Sequence, residues 1–78
     1  MLARDEVLEL ELRERICSEF TKARVHKGYS LKQMGDILGI SYQRIGKFEK
    51  GISSPTLRFL VKYAKALDLT LDVILYGL

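Results

Sequence analysis

Tyr42, Gln43, Arg44, Lys47 and Lys50 gather a phenol, a carboxamide and three cations into nine residues. If this stretch is helical, Gln43, Lys47 and Lys50 stand at i, i+4 and i+7 and share one face. A carboxamide presents a donor beside an acceptor, which matches the N6 and N7 edge of adenine, and an ammonium group donates to guanine O6 or N7. Guanidinium and further ammonium groups beside them suit phosphate oxygens. The pattern therefore supports hydrogen bonding to a nucleic-acid duplex. It does not support bond making: the chain has one histidine, His26, and one cysteine, Cys17, and no clustered carboxylates. No nucleophile-base pair and no metal-ligand set can be assembled from these residues, so neither an enzyme nor a cofactor is expected. His26 reads as a surface residue near a helix end, and Cys17, beside Ile16, as a small core or interface residue.

The elements that must position this cluster can be read from their caps. Ser30 precedes an apolar-periodic run and Gln33 follows three residues later, the spacing at which hydroxyl and amide reciprocally satisfy orphan N–H groups. A helix is expected from about Leu31, with Met34, Ile37 and Leu38 on its inner face and Lys32 and Asp36 elsewhere. Gly39 ends it, and Ile40 can fold back as the apolar contact of the cap. Ser41 then caps a second helix, in which Ile45 and Phe48 face inward while Tyr42, Gln43, Gly46, Lys47 and Lys50 face outward. Gly51 is its stop signal. An α-helix fits the major groove of B-DNA, and residues near its N-terminus reach base edges first.

Taken together, Ser30 to Gly51 resembles the lambda-repressor-like (Xre-type) helix-turn-helix family. Gly35 stands where that family has a small residue at the helix crossing, and Gly39 where it has the glycine of the turn. Apolar family positions are filled by Met34, Leu38, Ile40, Ile45 and Phe48, and the acidic-basic-glycine close of the reading helix by Glu49, Lys50 and Gly51, followed by Pro55. The resemblance covers roughly Arg13 to Leu75. It implies that Tyr42, Gln43 and Lys47 read bases and that Arg24, late in the first helix, pairs with Glu49. Lys32, Ser41, Arg44, Lys50 and Ser53 are expected on the sugar-phosphate backbone, joined by amides of the loop from Gly51 to Ser54. Tyr42 offers its ring to a thymine methyl or its hydroxyl to a phosphate, or else plugs the domain surface; Gln43 could equally serve as a helix former, and the lysines as solvating charges. Three residues depart from the pattern. Leu31 replaces a polar residue that holds a phosphate, and Gly35 replaces the usual alanine. Gly46, outward in mid-helix, costs ~1 kcal/mol relative to alanine.

Charge distribution agrees with a duplex-binding face. Residues 1–20 carry three arginines against six acidic side chains, whereas residues 21–62 carry nine basic side chains against two acidic ones. The excess of cations thus collects on the helix-turn-helix and the loop after it. A chain of 78 residues makes one domain with a marginal core, and 47% apolar content argues against disorder. A lone cysteine cannot close an internal disulfide, and no apolar run reaches the ~20 residues of a membrane span or the stretch of a signal peptide. A cytoplasmic protein without membrane contact is expected.

The remainder reads as scaffold, giving an all-α, five-helix lambda-repressor-like domain with an extended N-terminal helix. Residues 1–12 form the N-terminal helical extension, and residues 13–78 the helix-turn-helix domain. Helix one is expected from Arg4 or Asp5 to His26, with Leu8, Leu12, Ile16, Phe20 and Ala23 as its buried stripe and Gly28 after it. Leu8, Leu10 and Leu12 could pack on the domain or on a second subunit. Pro55 is expected as the first residue of helix four with Ser54 as its cap, and Leu57, Leu60, Val61, Ala64 and Leu67 as its stripe. A fifth helix is expected from Thr70 or Leu71 to Tyr76.

One small domain reads only a few base pairs, so a homodimer on a pseudo-palindromic double-stranded DNA operator is the expected assembly. Its interface is placed on the apolar tail Leu71, Leu75, Tyr76 and Leu78, with the N-terminal extension as the competing surface. Two functions use such a domain. One is a sequence-specific transcriptional regulator, most simply a repressor; the other is an antitoxin that binds a toxin protein and represses its own operon.

Overall fold

The computed structural model describes residues 4–69 and folds them into four helices: α1 (Arg4–His26), α2 (Leu31–Leu38), α3 (Tyr42–Glu49) and α4 (Leu57–Ala66). No strand occurs among the described residues. The expected fifth helix, and with it Leu71, Leu75, Tyr76 and Leu78, lies outside them.

Local capping chemistry accounts for the short helices. At α2, Ser30 Oγ accepts from the Gln33 amide at 3.0 Å while Gln33 Oε1 accepts from the Ser30 amide at 2.8 Å, a closed capping box. The helix ends where Gly39 adopts φ 68°, a left-handed conformation in which the Ile40 amide folds back onto the Gly35 carbonyl at 3.0 Å. Ser41 caps α3 through the Arg44 amide. The exit of α3 repeats the pattern, with Gly51 donating to Phe48 O and Ile52 to Lys47 O.

The start of α4 differs from expectation. Thr56, not Ser54, is its cap, its Oγ1 accepting from the Phe59 amide at 3.1 Å, and Pro55 stays outside the helix. Ser54 Oγ instead accepts from Arg13 Nη2 at 3.0 Å, tying the connecting loop to α1.

Nine residues form the core: Cys17, Phe20, Met34, Ile45, Phe48, Phe59, Tyr63, Ala64 and Leu67. At its centre four aromatic rings pack against one another, with Phe20–Tyr63 centroids 4.8 Å apart and Phe48–Phe59 centroids 4.9 Å apart. Edge-on and tilted arrangements of this kind suit the ring quadrupoles. This cluster fixes the face that α4 buries. Phe59 and Tyr63 turn inward at i, i+4, which leaves Leu57 and Val61, expected in the stripe, 75% and 52% exposed. Ile37 is likewise half exposed, because Met34 alone of the inner α2 positions reaches the centre. On α1 burial begins at Ile16, Cys17 and Phe20, whereas Leu8 and Leu12 lie along a helical segment with no core beneath it and are exposed. The helix runs unbroken through residues 12 and 13.

Candidate nucleic-acid interface

Helix α3 owes its pose to two contacts with its neighbours, one of which is a close approach of backbones. A methyl group built on Gly35 would stand 2.6 Å from Ile40 O and 3.2 Å from Tyr42 N, so α2 and the start of α3 approach more tightly than any side chain at this position allows. Glycine here is a requirement of the crossing, a correction to its reading as a simple replacement for alanine. The second contact, at the other end of α3, is ionic. Arg24 meets Glu49 through two parallel bonds, Nε to Oε2 at 2.7 Å and Nη2 to Oε1 at 2.9 Å, and its Nη1 donates to Tyr29 O at 2.7 Å. Tyr63 Oη, from α4, donates to the same Glu49 Oε2 at 2.6 Å. Both charged side chains are nearly buried, with 12% and 8% exposure. The carboxylate beside it holds the Arg24 guanidinium above its ordinary range, and burial followed by the bond to Glu49 pushes the Tyr63 phenol upward. Three helices therefore converge on one carboxylate.

With Ile45 and Phe48 fully buried, the opposite side of α3 carries Tyr42, Gln43, Arg44 and Lys47 to solvent, and Lys50 lies exposed at its end. Gln43, Arg44, Lys47, Ser41 and Ser53 line one recess between α3 and the loop before α4, completed by Phe48, Ser54, Pro55 and Phe59. Arg44 lies with its guanidinium carbon 5.8 Å from the Phe59 ring centroid, a cation–π contact that steadies the charge over the recess. Ser41, exposed, spends its oxygen lone pair on the Arg44 amide and keeps its O–H to donate. Tyr42, Lys32 and Lys50 are exposed but do not line the recess. Tyr42 is 48% exposed at the first turn of α3.

Gly46 departs from expectation. It is half buried, and a methyl group built on it would touch Leu31 Cδ1 at 3.6 Å, so this position faces the start of α2 and not the recess. Leu31 accordingly spends its side chain on α3 in place of a phosphate contact.

Sequence reasoning overlooked Tyr63, Phe59 and Arg13. Phe59 and Tyr63 do show the i, i+4 spacing of a buried pair, but Leu57 and Val61 show it as well. Nothing local marks Arg13 as the partner of a serine 41 positions away. The thiol of Cys17 is buried and donates to Phe48 O at 3.0 Å, with burial raising its pKa, which is the behaviour of a small core residue and not of a nucleophile. Among the described residues no three His, Cys, Asp or Glu side chains gather closely enough to hold a metal ion, and no helix is long and apolar enough to cross a membrane.

Comparison with known proteins places this arrangement. A helix-turn-helix family model matches residues 21–74. A prophage-derived, uncharacterised HTH-type transcriptional regulator of Bacillus subtilis is 43% identical over 56 residues, covering 72% of this chain and 52% of its own length. An uncharacterised HTH-type transcriptional regulator of Rickettsia conorii is 34% identical over 55 residues, 70% of this chain and 44% of that protein. A third, from Haemophilus influenzae, is 31% identical over 70 residues, 90% of this chain and 71% of that protein. The chain thus spans about half the length of the first two relatives. No solved structure matches.

Proposed function

The chain belongs to the lambda-repressor-like helix-turn-helix family, a family of DNA-binding regulators and not of enzymes, and on that premise we propose that it is a sequence-specific transcriptional regulator whose α3 enters the major groove. The observation that carries this reading is the recess itself. Gln43 and Lys47 project from a helix whose other side is fully interred, so their donors and acceptors are free to reach base edges. Arg44 and the hydroxyls of Ser41 and Ser53 share that recess, and Lys32 and Lys50 are exposed outside it, all of them groups suited to phosphates. Such a division sets register with the backbone contacts and reads sequence with the central ones.

A domain of this size covers few base pairs, so the assembly we propose is a homodimer on a pseudo-palindrome with half-sites one helical turn apart. Its simplest regulatory outcome is repression by occlusion of a promoter. Selection of bound fragments from a random duplex pool tests the reading. A recurrent motif with two-fold symmetry is expected; enrichment of no sequence over many rounds would remove it.

A further inference from the structure

Glu49 closes α3, and the family pattern gives it one partner, Arg24. The second partner belongs to this chain's own α4. Tyr63 is completely buried, its ring 4.8 Å from Phe20, 5.8 Å from Phe48 and 5.7 Å from Phe59 between centroids. A phenylalanine would fill that space equally well. The hydroxyl therefore has no packing purpose, and the bond it makes is the 2.6 Å donation to Glu49 Oε2. Two parallel bonds from Arg24 hold the carboxylate in the plane of the guanidinium but allow the pair to rock about that common axis. A third bond from a different helix removes this freedom.

We propose that Tyr63 is a positioning residue for base reading: acting through Glu49, it fixes the rotation of the last turn of α3 and so the height at which Lys47 and Gln43 meet the bases. The inference rests on the duplex-reading function above. Burial and the adjoining carboxylate both keep the proton on the phenol, so Tyr63 acts as a donor throughout the physiological range. Arg24 is the other charged group at this point, and it is braced in turn by the Tyr29 carbonyl. The reading helix is thus anchored at its end from α1 and α4 together, while its beginning is held by the close crossing at Gly35.

The test uses the full chain with Tyr63→Phe, which keeps the ring and removes one oxygen. Two measurements are made well below the unfolding temperature of either protein. Hydrogen exchange reports the clamp without DNA: the amides of Lys50, Gly51 and Ile52, whose acceptors lie in α3, should exchange several-fold faster while those of α2 are unchanged. Binding reports the reading: the preference for the selected duplex over one with the Lys47-contacted base pair exchanged should fall about 3–10-fold, the range expected for one hydrogen bond, with affinity for scrambled duplex unaltered. In a Glu49→Leu background, where Tyr63 has no acceptor left on α3, Tyr63→Phe should change the preference no further. Faster exchange with an unchanged preference would reduce the hydroxyl to a structural bond and overturn the proposal. Unchanged exchange and unchanged preference would overturn the clamp as well. A parent protein that prefers no duplex would instead refute the duplex-reading function, and the positioning role would fall with it whatever the exchange result.

Discussion

The α-carbon of Gly35 faces the carbonyl of Ile40 so closely that a methyl group placed there would lie 2.6 Å from the oxygen. That same carbonyl belongs to the turn between α2 and α3, and the neighbouring Tyr42 amide would be 3.2 Å away. Gly35→Ala must therefore push α3 off α2. A loss of about 1–3 kcal/mol in urea unfolding is expected, despite the ~1 kcal/mol that alanine's helix propensity returns. Specific duplex binding should weaken with it, because the displaced element is the helix proposed to enter the major groove.

Gly46 predicts the opposite sign. Its φ lies in the helical region, and an added methyl would meet Leu31 Cδ1 at 3.6 Å, ordinary van der Waals contact. Gly46→Ala should stabilise the fold by up to about 1 kcal/mol through helix propensity. Thermal unfolding of the two alanine variants side by side gives the comparison. A destabilised Gly46→Ala would mean that Leu31 cannot accept the contact.

The Arg24–Glu49 pair is nearly buried, with 12% and 8% side-chain exposure, so removal of either member strands a charge. Glu49→Ala is expected to cost about 3–5 kcal/mol. It leaves the Arg24 guanidinium and the Tyr63 hydroxyl without their shared acceptor. Against a total stability of roughly 5–15 kcal/mol for a small domain, this loss should be visible as a large fall in urea midpoint. A midpoint shifted by less than a surface ion pair would warrant would show that the pair is solvated.

Stability should decline at alkaline pH, and Tyr63 sets the direction. In the unfolded chain its phenol loses a proton near the ordinary tyrosine value of 10.0, whereas in the fold burial and the Glu49 carboxylate hold that proton to much higher pH. The unfolded state therefore binds fewer protons above pH 10, and the stabilisation present below it drains away at about 1.4 kcal/mol per pH unit. Lys27, whose pKa is raised by its bond to Asp68, titrates in the same window at the surface. The Tyr63 contribution is isolated by difference: Tyr63→Phe should flatten the loss, and Lys27→Met should leave most of it.

The caps of α2 and α3 were legible because a cap is written in three or four consecutive residues. Ser30 with Gln33, Gly39 and Ser41 each name a backbone group to be satisfied and supply the atom that satisfies it. The buried face of α4 was not legible in this way. Leu57 with Val61 and Phe59 with Tyr63 are equally good apolar pairs at helical spacing, and the choice is made by Phe20 and Phe48, on two other helices. The same limit governs the recess. Gln43, Arg44 and Lys47 could be placed on one helix from spacing alone, but Ser54, Pro55 and Phe59 join them through packing that no local pattern records. Tyr63 escaped notice for the related reason that its hydroxyl bonds a residue on another helix, 14 positions away.

Base-reading by Gln43 is the central claim, and competition binding of Gln43→Ala and Lys50→Ala on the selected duplex and its single-base variants tests it most directly. Lys50→Ala should weaken every sequence alike and reduce the salt slope by about 1, whereas Gln43→Ala should relax one base position at a cost of about 1–3 kcal/mol and spare the rest. Equal losses from both substitutions on every duplex would contradict the account, since Gln43 would then read nothing.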